Sequence, residues 1–297
     1  RKVQGEHIEV ALERLQLANA DATGEFKIGW KTGAAPDKRF PGVLDLQGQF
    51  SRANGARVHR YLPLGIPAPA RHYVRDAIQK GEARDFAVRV KGNLLDVPFD
   101  KNPAAGEFRF AGQVQGVTMA YVPRALQPEG EAPWPPLEEL AGELVFERNG
   151  MQVRNARARV QGHPGWQFPR IQAGIADLGH TRVTVDADGQ GTLAAALDIV
   201  RQSPASPLIQ HALDRASASG DAALRLKLDL PVSSIHQARV EGRATLHGND
   251  LRITPEAPLL AQARGVVAFS DSGFSVQDAR VQLLGGEARV SGGTQPA

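Results

Sequence analysis

The chain has 297 residues, of which 42% are hydrophobic and 23% charged, enough to build a sizeable core and too apolar for bulk disorder. Its 35 basic and 32 acidic residues leave a net charge of only +3, and the arginines recur singly, which argues against a nucleic-acid groove. It holds no cysteine, so disulfides and thiolate metal sites are excluded, and no stretch approaches the ~18 apolar residues of a membrane span.

Read from the start, the first clear signals have a period of two. Leu44, Leu46 and Phe50 predict a strand with one apolar face. Ala70 to Lys80 places Tyr73, Val74, Ala77 and Ile78 on one helical face, with Gly81 as the residue that ends the helix. Strand alternation resumes at Phe86, Val88 and Val90 and again at Phe108, Phe110 and Val114. The segment from Gln127 to Pro136, rich in Pro and Glu around Trp134, reads as a crossing between sheet segments. Val183, Val185 and Ala187 then run into Asp188 and Gly189, a hairpin signal, after which Leu193, Ala195, Leu197 and Ile199 alternate again. Ser206 and Pro207 predict the start of a second helix near 206–217, with Leu208, Ile209, Ala212, Leu213 and Ala216 as its apolar stripe. Leu224, Leu226, Leu228 and Leu230 alternate with Arg225, Lys227 and Asp229, the plainest strand in the chain.

An internal repeat underlies this rhythm. Residues 142–162 laid over 265–285 give seven identities in 21 positions, where roughly one or two would arise from average residue usage. In both copies a strand ending in Phe146 or Phe269 meets a turn, at Arg148 to Gly150 or Asp271 to Gly273. The strand that follows changes apolar parity. Met151 and Val153 give way to Ala156, Ala158 and Val160, and Phe274 and Val276 to Ala279, Val281 and Leu283. A one-residue slip would turn the apolar set to the wrong face, so a β-bulge is predicted near Asn155 and near Asp278.

No constellation for catalysis is visible. The eight histidines (His7, His59, His72, His163, His180, His211, His236 and His247) are dispersed, and none has metal-ligand spacing. The spacing of Gly189, Gly191 and Ala194 matches a dinucleotide-binding fingerprint, but the hairpin signal and the absence of βαβ alternation argue against that reading. No catalytic residue, metal site or cofactor is expected.

Several motifs resemble the YhdP proteins of the AsmA-like superfamily, which also contains TamB. They are Arg60 to Pro63, the Val74–Gly81 helix end, Phe86–Gly92, Pro98 and Phe99, and Phe108 to Phe110 with Val117. Further on they are Trp134 to Leu137 leading into Gly142 to Phe146, Leu228 to Pro231, Val240 to Gly242, Asn249 to Leu251 and Gly265 to Gly273. Together they cover roughly residues 40–297.

The resemblance implies large periplasmic proteins anchored in the inner membrane. Their long sheets curl into an apolar groove, and they are linked to phospholipid transport toward the outer membrane and to its permeability barrier. The expected fold is therefore mainly β, an elongated, curled antiparallel sheet forming an open apolar groove with about two short helices. Its expected segments are 1–126 with a helix near 70–80, a crossing at 127–136, and the repeated hairpins of 137–297. The candidate lipid-contact residues are Leu224, Leu226, Leu228, Leu230, Val183, Val185, Leu193, Leu197, Val240 and Leu246. The expected partners are phospholipid acyl chains, an inner-membrane anchor upstream, since the chain opens at Arg1 without Met and reads as a fragment, and the outer membrane as a candidate contact. A closed β-sandwich or solenoid scaffold and a carbohydrate-binding β domain are the competing readings.

Overall fold

The computed structural model describes residues 2–4, 7–35 and 39–294. The chain is mainly β, with 58% of residues in strands. The strands are β1 (Lys2–Gln4), β2 (His7–Ala18), β3 (Ala22–Lys31), β4 (Val43–Asn54), β5 (Ile78–Asn93), β6 (Glu107–Met119), β7 (Leu137–Glu147) and β8 (Gly150–Val160). They continue as β9 (Trp166–Ile175), β10 (Arg182–Thr192), β11 (Ser217–Ser219), β12 (Asp221–Pro231), β13 (Arg239–Arg252), β14 (Leu260–Ser270), β15 (Gly273–Leu283) and β16 (Gly286–Gly293). All belong to one antiparallel sheet in sequence order, not closed into a barrel; β11 alone leaves the path and pairs with β13. Sequential antiparallel pairing is what the alternating pattern encodes; some connections are short turns, as between β7 and β8, while those after β4, β6 and β10 are long.

Contacts divide the chain into two compact units. The first holds residues 1–117, 141–154 and 174–181. Within it, Val10 pairs with Trp30 and Trp30 with Leu44, while Ile28 pairs with Leu46 and Leu46 with Val90. Cross-strand partners point to the same side of a sheet, so these residues form one apolar face. Phe26 lies across Gly48, where a β-carbon would sit 2.5 Å from its ring, and meets Phe50 edge-on at 4.9 Å. The opposite face is charged: Arg89 bridges Asp45 and Glu107, and Lys27 pairs with Glu13.

In this unit helix α1 (Ala68–Ala77) ends sooner than expected. Ile78 is already extended and opens β5, which leaves Gly81 inside a strand at φ +120°. Gly81 is therefore no helix terminator. A β-carbon there would come within 2.6 Å of Val117, so the glycine serves a close approach between chain segments.

The second unit holds residues 118–140, 155–173 and 182–297. Here two expectations are overturned. Asp188 and Gly189 form no hairpin, because β10 continues to Thr192, and Leu193–Ile199 is not a strand. Those residues lie in helix α2 (Leu193–Arg201), whose Thr192 side chain accepts a hydrogen bond from the Ala195 amide at 3.2 Å. The helix expected near 206–217 shrinks to the single turn of α3 (Ala205–Leu208). Ser206 lies inside that turn, its hydroxyl donating to Asp214, and Gln210 and His211 take positive φ values of 54° and 61° that end it.

The repeat has the expected form at the level of its elements. Each copy is an 11-residue strand, a two-residue turn and a second 11-residue strand, as β7 and β8 and again as β14 and β15. Asn155 and Asp278 carry φ of 48° and 51°, and Glu139 and Gln262 show the same left-handed values at matching positions in the strands before them. The register of β15 with β16 shifts between Val276 and Ala279, which places the bulge at the change of parity.

Candidate functional site

In the second unit the register assembles a single apolar face. Val183 lies opposite Leu230, Val185 opposite Leu228, Ala187 opposite Leu226 and Gly189 opposite Leu224. Leu228 then faces Val240, Leu226 faces Gly242, Leu224 faces Ala244 and Ala222 faces Leu246. The set continues through Phe269, Val267 and Gly265 on β14, Phe274 and Val276 on β15, and Gly292, Val290 and Ala288 on β16. The bulge at Asp278 keeps it whole, because Ala279 and Val281 pair with Val290 and Ala288 on the same side. Six adjacent strands, β10 and β12 to β16, thus present apolar side chains or glycine to one side.

Glycines shape that face. A β-carbon on Gly242 would fall 2.0 Å from the ring of Phe269, so the ring lies across the neighbouring strand and covers its backbone. Gly189 and Gly191 do similar work beside β9. A β-carbon on Gly189 would sit 3.0 Å from Trp166, and one on Gly191 would fall 2.0 Å from the Gly165 carbonyl oxygen. The fingerprint of Gly189, Gly191 and Ala194 does precede a helix, α2, yet β10 and β12 on either side of it are antiparallel. That topology lacks the parallel βαβ unit a dinucleotide fold requires.

Helix α2 covers one end of the face. Ala222, Leu246, Ala263 and Val281 form a buried cluster against which Leu193 of α2 packs, together with Leu260, Leu283, Ala288 and Val290. Leu197 of α2 is buried as well. The helix is held by the Leu193 amide donating to Gly220 at 2.9 Å and by Arg201 donating to the Ala216 carbonyl at 3.0 Å. Toward the other end Leu224, Leu226, Leu228, Leu230, Val183, Val185 and Val240 are each only half-buried, and Phe274 is 52% exposed.

Eight of the ten candidate residues therefore share this sheet face, and Leu193 and Leu197 reach the unit's apolar interior from the helix. Reasoning from sequence missed Val267, Phe269, Phe274, Val276 and Val290. The alternation of β14 to β16 would have supplied them once the bulge at Asp278 was allowed for.

The reverse face is charged. Arg170 of β9 donates from Nε to Asp188 at 2.6 Å and also pairs with Asp186, and Arg182 grips Asp229 with both ends of its guanidinium. These hydrogen bonds hold the Asp188 and Asp229 carboxyls below the usual carboxylate range. Both pairs are solvent-exposed, so they fix register and add little stability. Among the described residues no group of three or more His, Cys, Asp or Glu could hold a metal, and no helix is long and apolar enough to cross a membrane. Ser206, His211 and Asp214 do meet, but the serine hydroxyl donates to the carboxylate, and His211 uses the same Nδ1 toward both partners. Activating the serine would require it to donate to the imidazole instead, so the contact acts as a turn lock.

The second unit is thus an antiparallel sheet, not closed into a barrel, with one apolar and one charged face. The chain matches the family described as YhdP protein over residues 2–297, and it belongs to that family. Membership connects it with lipid transport and with the cell envelope. No curated protein and no solved structure matches it.

Proposed function

We propose that the apolar face of β10 and β12 to β16 holds phospholipid acyl chains, as part of a periplasmic, non-enzymatic bridge that moves phospholipid between inner and outer membranes. In this reading the inner-membrane anchor lies upstream of the chain, the outer membrane is the far contact, and the transport supports the permeability barrier. The observation that carries it is the only partly buried run of Leu224, Leu226, Leu228 and Leu230 with its cross-strand partners Val185 and Val240. A leucine left in water forgoes about 1.5–3 kcal/mol. An acyl chain laid along the run would recover part of that, and at about 0.8 kcal/mol per methylene a long chain gains on the order of 10 kcal/mol gross. Because the face is built from similar residues strand after strand, a bound chain meets no deep minimum and can slide.

The test is native mass spectrometry of the purified chain beside the Leu226→Asp variant. Phospholipid is expected to co-purify with the parent and to be lost from the variant, which keeps a cooperative thermal transition. Retention of lipid by a folded variant removes β12 from the path, and a variant that fails to fold indicates that the face is part of a closed core.

A further inference from the structure

The charged face of the second unit carries a feature that structural pairing does not use. His247 pairs with Arg264, Arg264 with Arg280, and Arg280 with Arg289, so one histidine and three arginines stand directly opposite one another across β13, β14, β15 and β16. All four are exposed. Like charges placed directly opposite destabilise a sheet. Elsewhere in the unit arginines find carboxylates, as Arg182 does with Asp229 and Arg215 with Glu256. Glu287 and Asp278 are each two positions from an arginine of the row, yet among the described residues Arg264, Arg280 and Arg289 form no ion pair.

The direction of the row matters as much as its charge. It runs across the strands, about 14 Å over three inter-strand spacings, and so lies parallel to the end of the sheet. At that end the connecting loops expose large apolar side chains. Leu284 is 90% exposed in the turn between β15 and β16, Ile253 and Leu259 are exposed between β13 and β14, and Leu208 is 76% exposed after α2. Leu284 is four positions from Arg280 and Leu259 five from Arg264, about 13 and 17 Å of strand, part of which an arginine side chain would span.

We infer that this end of the second unit docks on an anionic phospholipid surface, with Leu284, Leu259 and Ile253 entering the interface and the row of His247, Arg264, Arg280 and Arg289 lying over the headgroup phosphates. Both parts of the contact are needed, since a basic row alone would serve any polyanion. Apolar tips on the same edge select a surface with a hydrocarbon layer beneath the charge. The inference concerns the charged face and the loops, and does not depend on acyl chains occupying the apolar face.

The test is sedimentation of the whole chain with vesicles of phosphatidylcholine, alone or mixed with phosphatidylglycerol. Binding is expected only to the mixed vesicles, weakening as salt rises. The triple variant Arg264→Gln, Arg280→Gln, Arg289→Gln should lose about five-fold per arginine, roughly a hundred-fold in all. Its thermal midpoint should stay level or rise, because like-charge contacts are removed. Leu284→Ser should weaken binding to the mixed vesicles. Equal vesicle binding by parent and triple variant, full displacement by inorganic phosphate, or unfolding of the triple variant would each overturn the inference. The last would show that the arginines hold the sheet together.

Discussion

The two ends of the apolar face in the second unit are built from the same strands and differ in what lies on them. At one end α2 brings Leu193 onto Ala222, Leu246, Ala263 and Val281, and the sheet behaves as an ordinary core. At the other, Leu224, Leu226, Leu228 and Leu230 alternate just as regularly and are only partly buried. Strand chemistry therefore does not decide whether this face is a core or a surface. The presence of a covering helix does.

The sharpest way to break that comparison is to truncate one leucine from each end. Leu246→Ala should destabilise the protein by about 2–4 kcal/mol, the usual cost of a cavity in a packed site. Leu226→Ala should cost less than about 1.5 kcal/mol, because the side chain gives up only part of its contacts. Chemical denaturation of the two variants checks it, and equal losses would mean that the open end is covered after all.

A smaller effect is expected at the bulge that keeps the face continuous. Asp278 holds a left-handed φ of 51°, which a β-branched residue tolerates poorly. Asp278→Val should cost about 1–2 kcal/mol, while Asp278→Gly should be neutral or slightly stabilising. Thermal unfolding of the pair separates them, and the same order is expected at Asn155, its counterpart in the first copy.

The bulge at Asp278 was legible in the sequence because a face that must stay apolar turns a change of parity into a geometric demand. The strand of Leu224 to Leu230 was legible for a related reason, since its period of two puts four leucines on one side and Arg225, Lys227 and Asp229 on the other. Residues 193–199 misled because Leu193, Ala195, Leu197 and Ile199 fit a period of two while Leu193, Ala196, Leu197 and Val200 fit a helix equally well. The deciding signals were local ones, the Thr192 cap and three consecutive alanines, and both favour the helix. Ser206 and Pro207 failed in the opposite sense. They resemble a helix start, but the serine hydroxyl turns to Asp214, and the chain breaks at Gln210 and His211. The arginine row was invisible to a reading along the chain, because Arg264, Arg280 and Arg289 meet only through register.

The account rests most directly on which side of β12 meets lipid, and adjacent positions of that strand can report it. A photo-crosslinking amino acid placed at Leu228 samples the apolar face, and one at Lys227 samples the charged face of the same strand. In the full-length protein within cells, crosslinks to phospholipid are predicted at position 228 and not at 227. Crosslinks of equal yield at the two positions, or at 227 alone, would contradict the proposal that the apolar face carries the acyl chain.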